Sequence, residues 1–100
     1  MVWVSYPVVL CPSNKDIKGM AKPSPQYAGN ATLVAMGGAI KSSRLSLGLS
    51  QETLAAIAGL DRSYMGGVER GEHNLTVMAV VRISQALNLK ASQLLGIADV

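Results

Sequence analysis

The sequence predicts an all-α fold, and three observations point that way. Apolar residues make up 49% of the 100-residue chain, yet the aromatic ones are only three Tyr and one Trp, with no Phe. A core drawn from Leu, Ile, Val, Met and Ala suits packed helices better than a sandwich of strands. From residue 32 onward the apolar positions recur at helical spacing, and four of the resulting segments are delimited by capping residues. The prediction is a five-helix globular domain over residues 31–98, preceded by an irregular N-terminal extension, residues 1–30.

Leu33, Met36, Gly37, Ile40, Arg44 and Leu47 form one stripe of period 3.6, which Gly48 ends. Ser50 is placed to cap a second helix, with Glu52 in the first turn where the helix dipole favours a carboxylate. Gly59 ends that helix after barely two turns. Asp61 caps a third, which Gly71 terminates. Thr76 caps a fourth, with Val77, Val80, Ile83, Ser84 and Leu87 expected on its core face and Asn88 beyond its end. A fifth, Ala91 to Leu95, lacks a strong N-cap. No repeat or low-complexity tract interrupts this series.

The segment before residue 30 reads differently. Pro23 and Pro25 bracket a serine in a stretch with no sustained period, so it reads as a linker or disordered arm to which Val8–Leu10 adds at most a short strand. The opening MVWVSYPVVL lacks a basic flank, is interrupted by Pro7 and Pro12, and is far shorter than the ~20 residues that span a bilayer, so neither a signal peptide nor a membrane anchor is expected. Met20 offers an alternative start of translation, which would make residues 1–19 an upstream extension. Cys11 stands alone, with no disulfide partner and no zinc ligands around it, and nothing asks for an oxidising compartment; the cytoplasm is expected.

Charge permits nucleic-acid binding without arguing for it. The formal net charge is +3, and Lys15, Lys18 and Lys22 against Asp16 place +2 of it in the first thirty residues, leaving the rest of the chain near neutral. The informative stretch is QETLAAIAGLDRSYMGGVERG, residues 51–71. Two helices this short are not stable alone and must brace each other across AGLD. Ala55 is small enough for a close crossing, and Gly59 supplies the left-handed turn that costs most residues ~1–2 kcal/mol. Leu54, Ala58, Leu60, Met65 and Val68 provide the apolar contacts. Together with caps at Ser50 and Asp61, these features predict a helix-turn-helix.

The run LGLSQETLAAIAGLDRSYMGGVERG, with VERGEHN and the later RISQALNLKASQLL, resembles the lambda-repressor-like helix-turn-helix family, also called the Cro/C1 or xenobiotic-response-element type. The resemblance spans about residues 33–96, and within the family it is most similar to the controller proteins of restriction-modification systems. It implies a sequence-specific regulator that binds double-stranded DNA as a homodimer on a pseudo-palindromic site, with recognition helices ~34 Å apart.

Mapped onto these positions, the resemblance implies that Gln51 meets a phosphate at the second helix N-terminus, unless it is an ordinary first-turn residue. Arg62 and Ser63 open the helix that enters the major groove. A bidentate contact of Arg62 with guanine, pairing of Arg62 with Asp61, and contact with phosphate alone are all open. Tyr64 suits a thymine methyl, a phosphate or the scaffold. Gly67 stands where relatives often carry a base-reading side chain, which implies either fewer bases read or a close backbone approach; a relaxed helix ordered by DNA is the alternative. Arg70, His73 and Asn74 extend the DNA-binding set, and His73 has no second ligand at metal spacing. Arg44 and Glu69 are implied to form a structural ion pair.

Met78, Val81, Leu94, Leu95, Ile97 and Val100 leave more apolar surface than a monomer of this size should expose, which predicts a dimer seam from the fourth and fifth helices. An enzyme is disfavoured: there is no nucleophile partner for His73, no phosphate loop and no carboxylate pair. No cofactor, metal, membrane or small-molecule substrate is expected. The competing class is an antitoxin-type interaction module whose arm, with Trp3, Tyr6 and Val8–Leu10, folds on a partner protein.

Overall fold

The structure, a computed structural model, describes residues 22–100. Cys11, Met20 and the arm residues Trp3, Tyr6 and Val8–Leu10 lie outside them. Five helices follow in order: α1 (Ala31–Ser46), α2 (Gln51–Ala58), α3 (Arg62–Glu69), α4 (Val77–Ala86) and α5 (Ala91–Ala98), with no strand among the described residues.

Local chemistry explains where each helix begins. The Asn30 side chain accepts from the Thr32 N–H at 2.8 Å, Ser50 Oγ from Thr53 at 3.0 Å, and Thr76 Oγ1 from Ala79 at 3.1 Å. Asp61 Oδ2 takes two donors, Ser63 at 3.0 Å and Tyr64 at 3.3 Å. Each bond satisfies an N–H that the helix itself leaves unpaired. The fifth helix is closed from the other direction, since the Gln93 side chain reaches back to accept from the Lys90 N–H at 2.8 Å. Gly59 adopts φ +72°, and the turn it makes lets α3 leave α2 after only three intervening residues.

α1 packs on α3 and α5, α2 on α3 and α4, and α4 on α5. The core between them comprises Met36, Ala39, Ile40, Leu54, Ala55, Ala58, Leu60, Tyr64, Met65, Val68, Ile83, Leu87 and Leu94. Two positions expected inward face water. Val77 is 78% exposed because it opens α4 before the helix reaches the core, and Leu47 is exposed as the C-cap of α1. Ala79, one turn before Ile83, is buried on α4 instead.

Residues 24–30, expected as linker, are held as a turn. The Ser24 N–H donates to Glu72 O at 2.8 Å and the Gly29 N–H to Gly71 O at 2.9 Å. Within the turn, Ala28 N–H donates to Ser24 O at 3.1 Å. The sequence offered no periodicity to reveal this, because the partners lie more than forty residues away.

Candidate nucleic-acid interface

α3 is too short to hold its own direction, and a buried polar network at its last turn does so. Arg44 of α1 donates through Nε to Glu69 Oε2 at 2.7 Å and through Nη2 to Oε1 at 3.0 Å. Its Nη1 donates to Leu49 O at 2.8 Å. Gln51 of α2 adds its amide N–H to Glu69 Oε1 at 2.9 Å. The Glu69 side chain is only 2% exposed, so one carboxylate joins three helices out of reach of water. On the α1 side, Gly37 brings the backbone of α1 against the carbonyls of Val68 and Glu69.

With its base anchored, α3 presents its first turn outward. Arg62 and Ser63 are exposed, and Arg62 takes part in no ion pair among the described residues. Pairing with Asp61 is not seen; the Asp61 carboxylate accepts backbone N–H groups instead. Arg70, the C-cap of α3, and Asn74 are also exposed. The Arg70 guanidinium pairs with Glu72 at 2.9 Å, which holds the Glu72 carboxyl below its ordinary value. Arg70 Nη1 and Gln51 Oε1 both lie over Gly66, 3.2 and 3.6 Å from where a Cβ would stand. The two polar tips thus converge on one face of α3.

Three residues of the expected DNA-contacting set face the interior. Tyr64 is 1% exposed, because its place one turn into an eight-residue helix points it at the core beside Met65 and Val68. His73 is 4% exposed and stacks on the Tyr64 ring, with centroids 4.8 Å apart. Gly67 is buried beneath it: a Cβ there would stand 2.7 Å from His73 Cδ2 and closer still to Nε2. The imidazole occupies the space that a side chain at position 67 would fill. Gln51, expected at a phosphate, is half-buried and directs an amide N–H to Glu69.

Burial lowers the His73 pKa below its ordinary 6.5, and Nε2 meets no hydrogen-bond partner among the described residues. The unfolded chain therefore takes up the proton first as pH falls. Stability contributed by the neutral ring is present above pH 6.5 and is lost as pH drops from there toward the folded value. Acid titration of thermal stability should show this loss in the wild type, and His73→Gln should flatten it.

The expected dimer seam divides. Met78, Leu95 and Ile97 are exposed and Val81 is half-exposed, but Leu94 is fully buried in the core. In a two-turn helix, adjacent leucines compete for the inward position, and Leu94 takes it, joining the core cluster. Val100 is exposed as expected, and Val77 adds to the exposed apolar set. Arg82, which the sequence did not single out, is buried on α4 with no hydrogen-bond partner for its Nε among the described residues.

Residues 40–94, more than half of the chain, match the helix-turn-helix family. The chain belongs to the Cro/C1-type helix-turn-helix family. Among its relatives is the control protein C.SmaI of Serratia marcescens, 45% identical over 56 residues, which are 56% of this chain and 67% of the relative. The fold is shared with the restriction-modification controller protein C.AhdI from Aeromonas hydrophila, with a TM-score of 0.63, 45% identity and coverage of 64% of this chain and 97% of that one. The tetramer of the controller C.Esp1396I in complex with its natural 35 base-pair operator is similar at a TM-score of 0.64, with 32% identity and coverage of 68% and 90%.

Proposed function

We propose that this protein is a transcriptional regulator that binds an operator in double-stranded DNA as a homodimer, in the manner of a restriction-modification controller. The observation that carries this reading is the presentation of Arg62 and Ser63: two exposed side chains on the first turn of a helix whose other end is fixed by the buried Glu69 network. An α-helix entering the major groove reads bases with that first turn, and a free guanidinium forms the bidentate contact to guanine O6 and N7. Ser63 is short enough to follow without obstructing the approach. With Tyr64, Gly67 and His73 turned inward, readout rests on fewer side chains, and Arg62 carries most of it.

Dimerisation follows from the exposed apolar residues of α4 and α5, Met78, Leu95 and Ile97, which a second copy would cover about a twofold axis. No helix among the described residues is long and apolar enough to cross a membrane. Regulation of this kind requires no catalysis and places the protein with the chromosome in the cytoplasm.

Selection of bound duplexes from a random pool tests the reading. The wild type should return an inverted-repeat consensus. Arg62→Ala should lose discrimination at one position of each half-site by ~1–3 kcal/mol while retaining affinity for phosphates. An unchanged consensus would remove Arg62 from that role, and a wild type without preference would defeat the function.

A further inference from the structure

The turn before α1 lies beside the end of the recognition helix. Its Ser24 N–H donates to Glu72 O at 2.8 Å and its Gly29 N–H to Gly71 O at 2.9 Å, which straps residues 24–29 along the first two residues after Arg70. The seat is a close one. Gly71 has φ +77°, and a Cβ on it would stand 2.7 Å from Val34 Cγ2 and 2.8 Å from Val34 Cα, so only glycine lets the start of α1 and its strap come this near. Inside the strap, Tyr27 N–H donates to Ser24 Oγ at 3.2 Å and Asn30 N–H to Tyr27 O at 2.9 Å. Pro23 and Pro25 restrict the backbone on either side of Ser24.

Lys22 stands two residues ahead of the tethered Ser24 and is exposed. Two residues of chain span at most ~7 Å, so the Lys22 backbone stays within about that distance of Ser24, which is tied to Glu72. Between Ile17 and Gln51 the sequence holds Lys18, Lys22, Lys41 and Arg44 and no Asp or Glu. Of these, Arg44 is neutralised inside the Glu69 network. Eight residues make α3 roughly 12 Å long, about the width of the major groove. With the first turn of α3 at the base edges, its far end and the strap tied there would stand about a groove width away, toward the sugar-phosphate wall.

Resting on the DNA-binding reading above, we propose that the strap of residues 22–30 is a second DNA-contacting element, which holds the Lys22 ammonium against a phosphate flanking the bases read by α3. Its role is affinity and register, since a lysine on phosphate carries no base information. It extends the footprint past the recognition helix.

The test measures binding of the full-length wild type, Lys22→Gln and Lys22→Arg to the selected duplex by fluorescence anisotropy as salt is raised. One lost phosphate contact lowers the slope of log affinity against log salt by ~0.9. Lys22→Gln should therefore weaken with salt roughly threefold less than the wild type between ~50 and ~200 mM. Lys22→Arg should restore the slope, and the ranking of duplex sequences and the melting temperature should be unchanged. A selective wild type whose slope is untouched by Lys22→Gln overturns this inference alone, as does a change in sequence ranking. A wild type with no duplex preference overturns the parent reading and this one with it.

Discussion

Glu69→Ala should cost this domain about 3–5 kcal/mol, the range for stranding one partner of a buried ion pair. The carboxylate accepts from Arg44 Nε at 2.7 Å, Arg44 Nη2 at 3.0 Å and Gln51 Nε2 at 2.9 Å, and its removal leaves the guanidinium with only Leu49 O. The Arg44 side chain is itself nine-tenths buried, so water does not replace the lost acceptor without opening the junction of α1, α2 and α3. At ~4–8 °C per kcal/mol for a domain of this size, melting should fall by more than ~10 °C. Thermal or urea denaturation of Glu69→Ala, Arg44→Met and the double variant measures it. The double variant should be less damaged than the sum of the singles, since an apolar replacement of both partners strands no charge. Additive losses would mean that the three bonds contribute independently of one another and that no shared network orients α3.

Much of this was readable in the sequence because it is local. Ser50, Asp61 and Thr76 cap their own helices, and Gly59 turns between two of them; each effect is complete within four residues. The same holds for the exposure of Arg62 and Ser63, which follows from their place at the start of α3. What was illegible depends on partners distant in the chain. The strap at Ser24 and Gly29 exists through Glu72 and Gly71. Tyr64 and His73 are amphipathic side chains at positions where a two-turn helix and a loop supply little periodicity, so only their mutual stacking and the room that Gly67 leaves for the imidazole settle them inward. Leu94 and Leu95 show the same ambiguity in apolar form: eight residues of α5 do not distinguish which of two neighbours meets α1.

Gly37→Ala should be comparably damaging, through sterics alone. A Cβ at this position would stand 2.5 Å from the carbonyl oxygens of both Val68 and Glu69 and 2.8 Å from the Glu69 carbonyl carbon. These are backbone atoms of the last turn of α3, where Val68 O already accepts from the Gly71 N–H at 3.0 Å, and no rotamer change relieves the overlap. α1 must instead move away from α3, which pulls Arg44, two turns further along α1, out of register with Glu69. Overpacking in a close-packed interior costs ~1–3 kcal/mol and occasionally more, and the loss of the ion-pair geometry adds to it. Gly38, with open space around its Cβ position, is the matched control: Gly38→Ala should be neutral or slightly stabilising, since alanine is favoured over glycine in a helix by ~1 kcal/mol. The denaturation midpoint should therefore fall for Gly37→Ala and hold or rise for Gly38→Ala. Equal behaviour would show that Gly37 does not bring α1 against the α3 carbonyls, and the orientation of the recognition helix would then need another support.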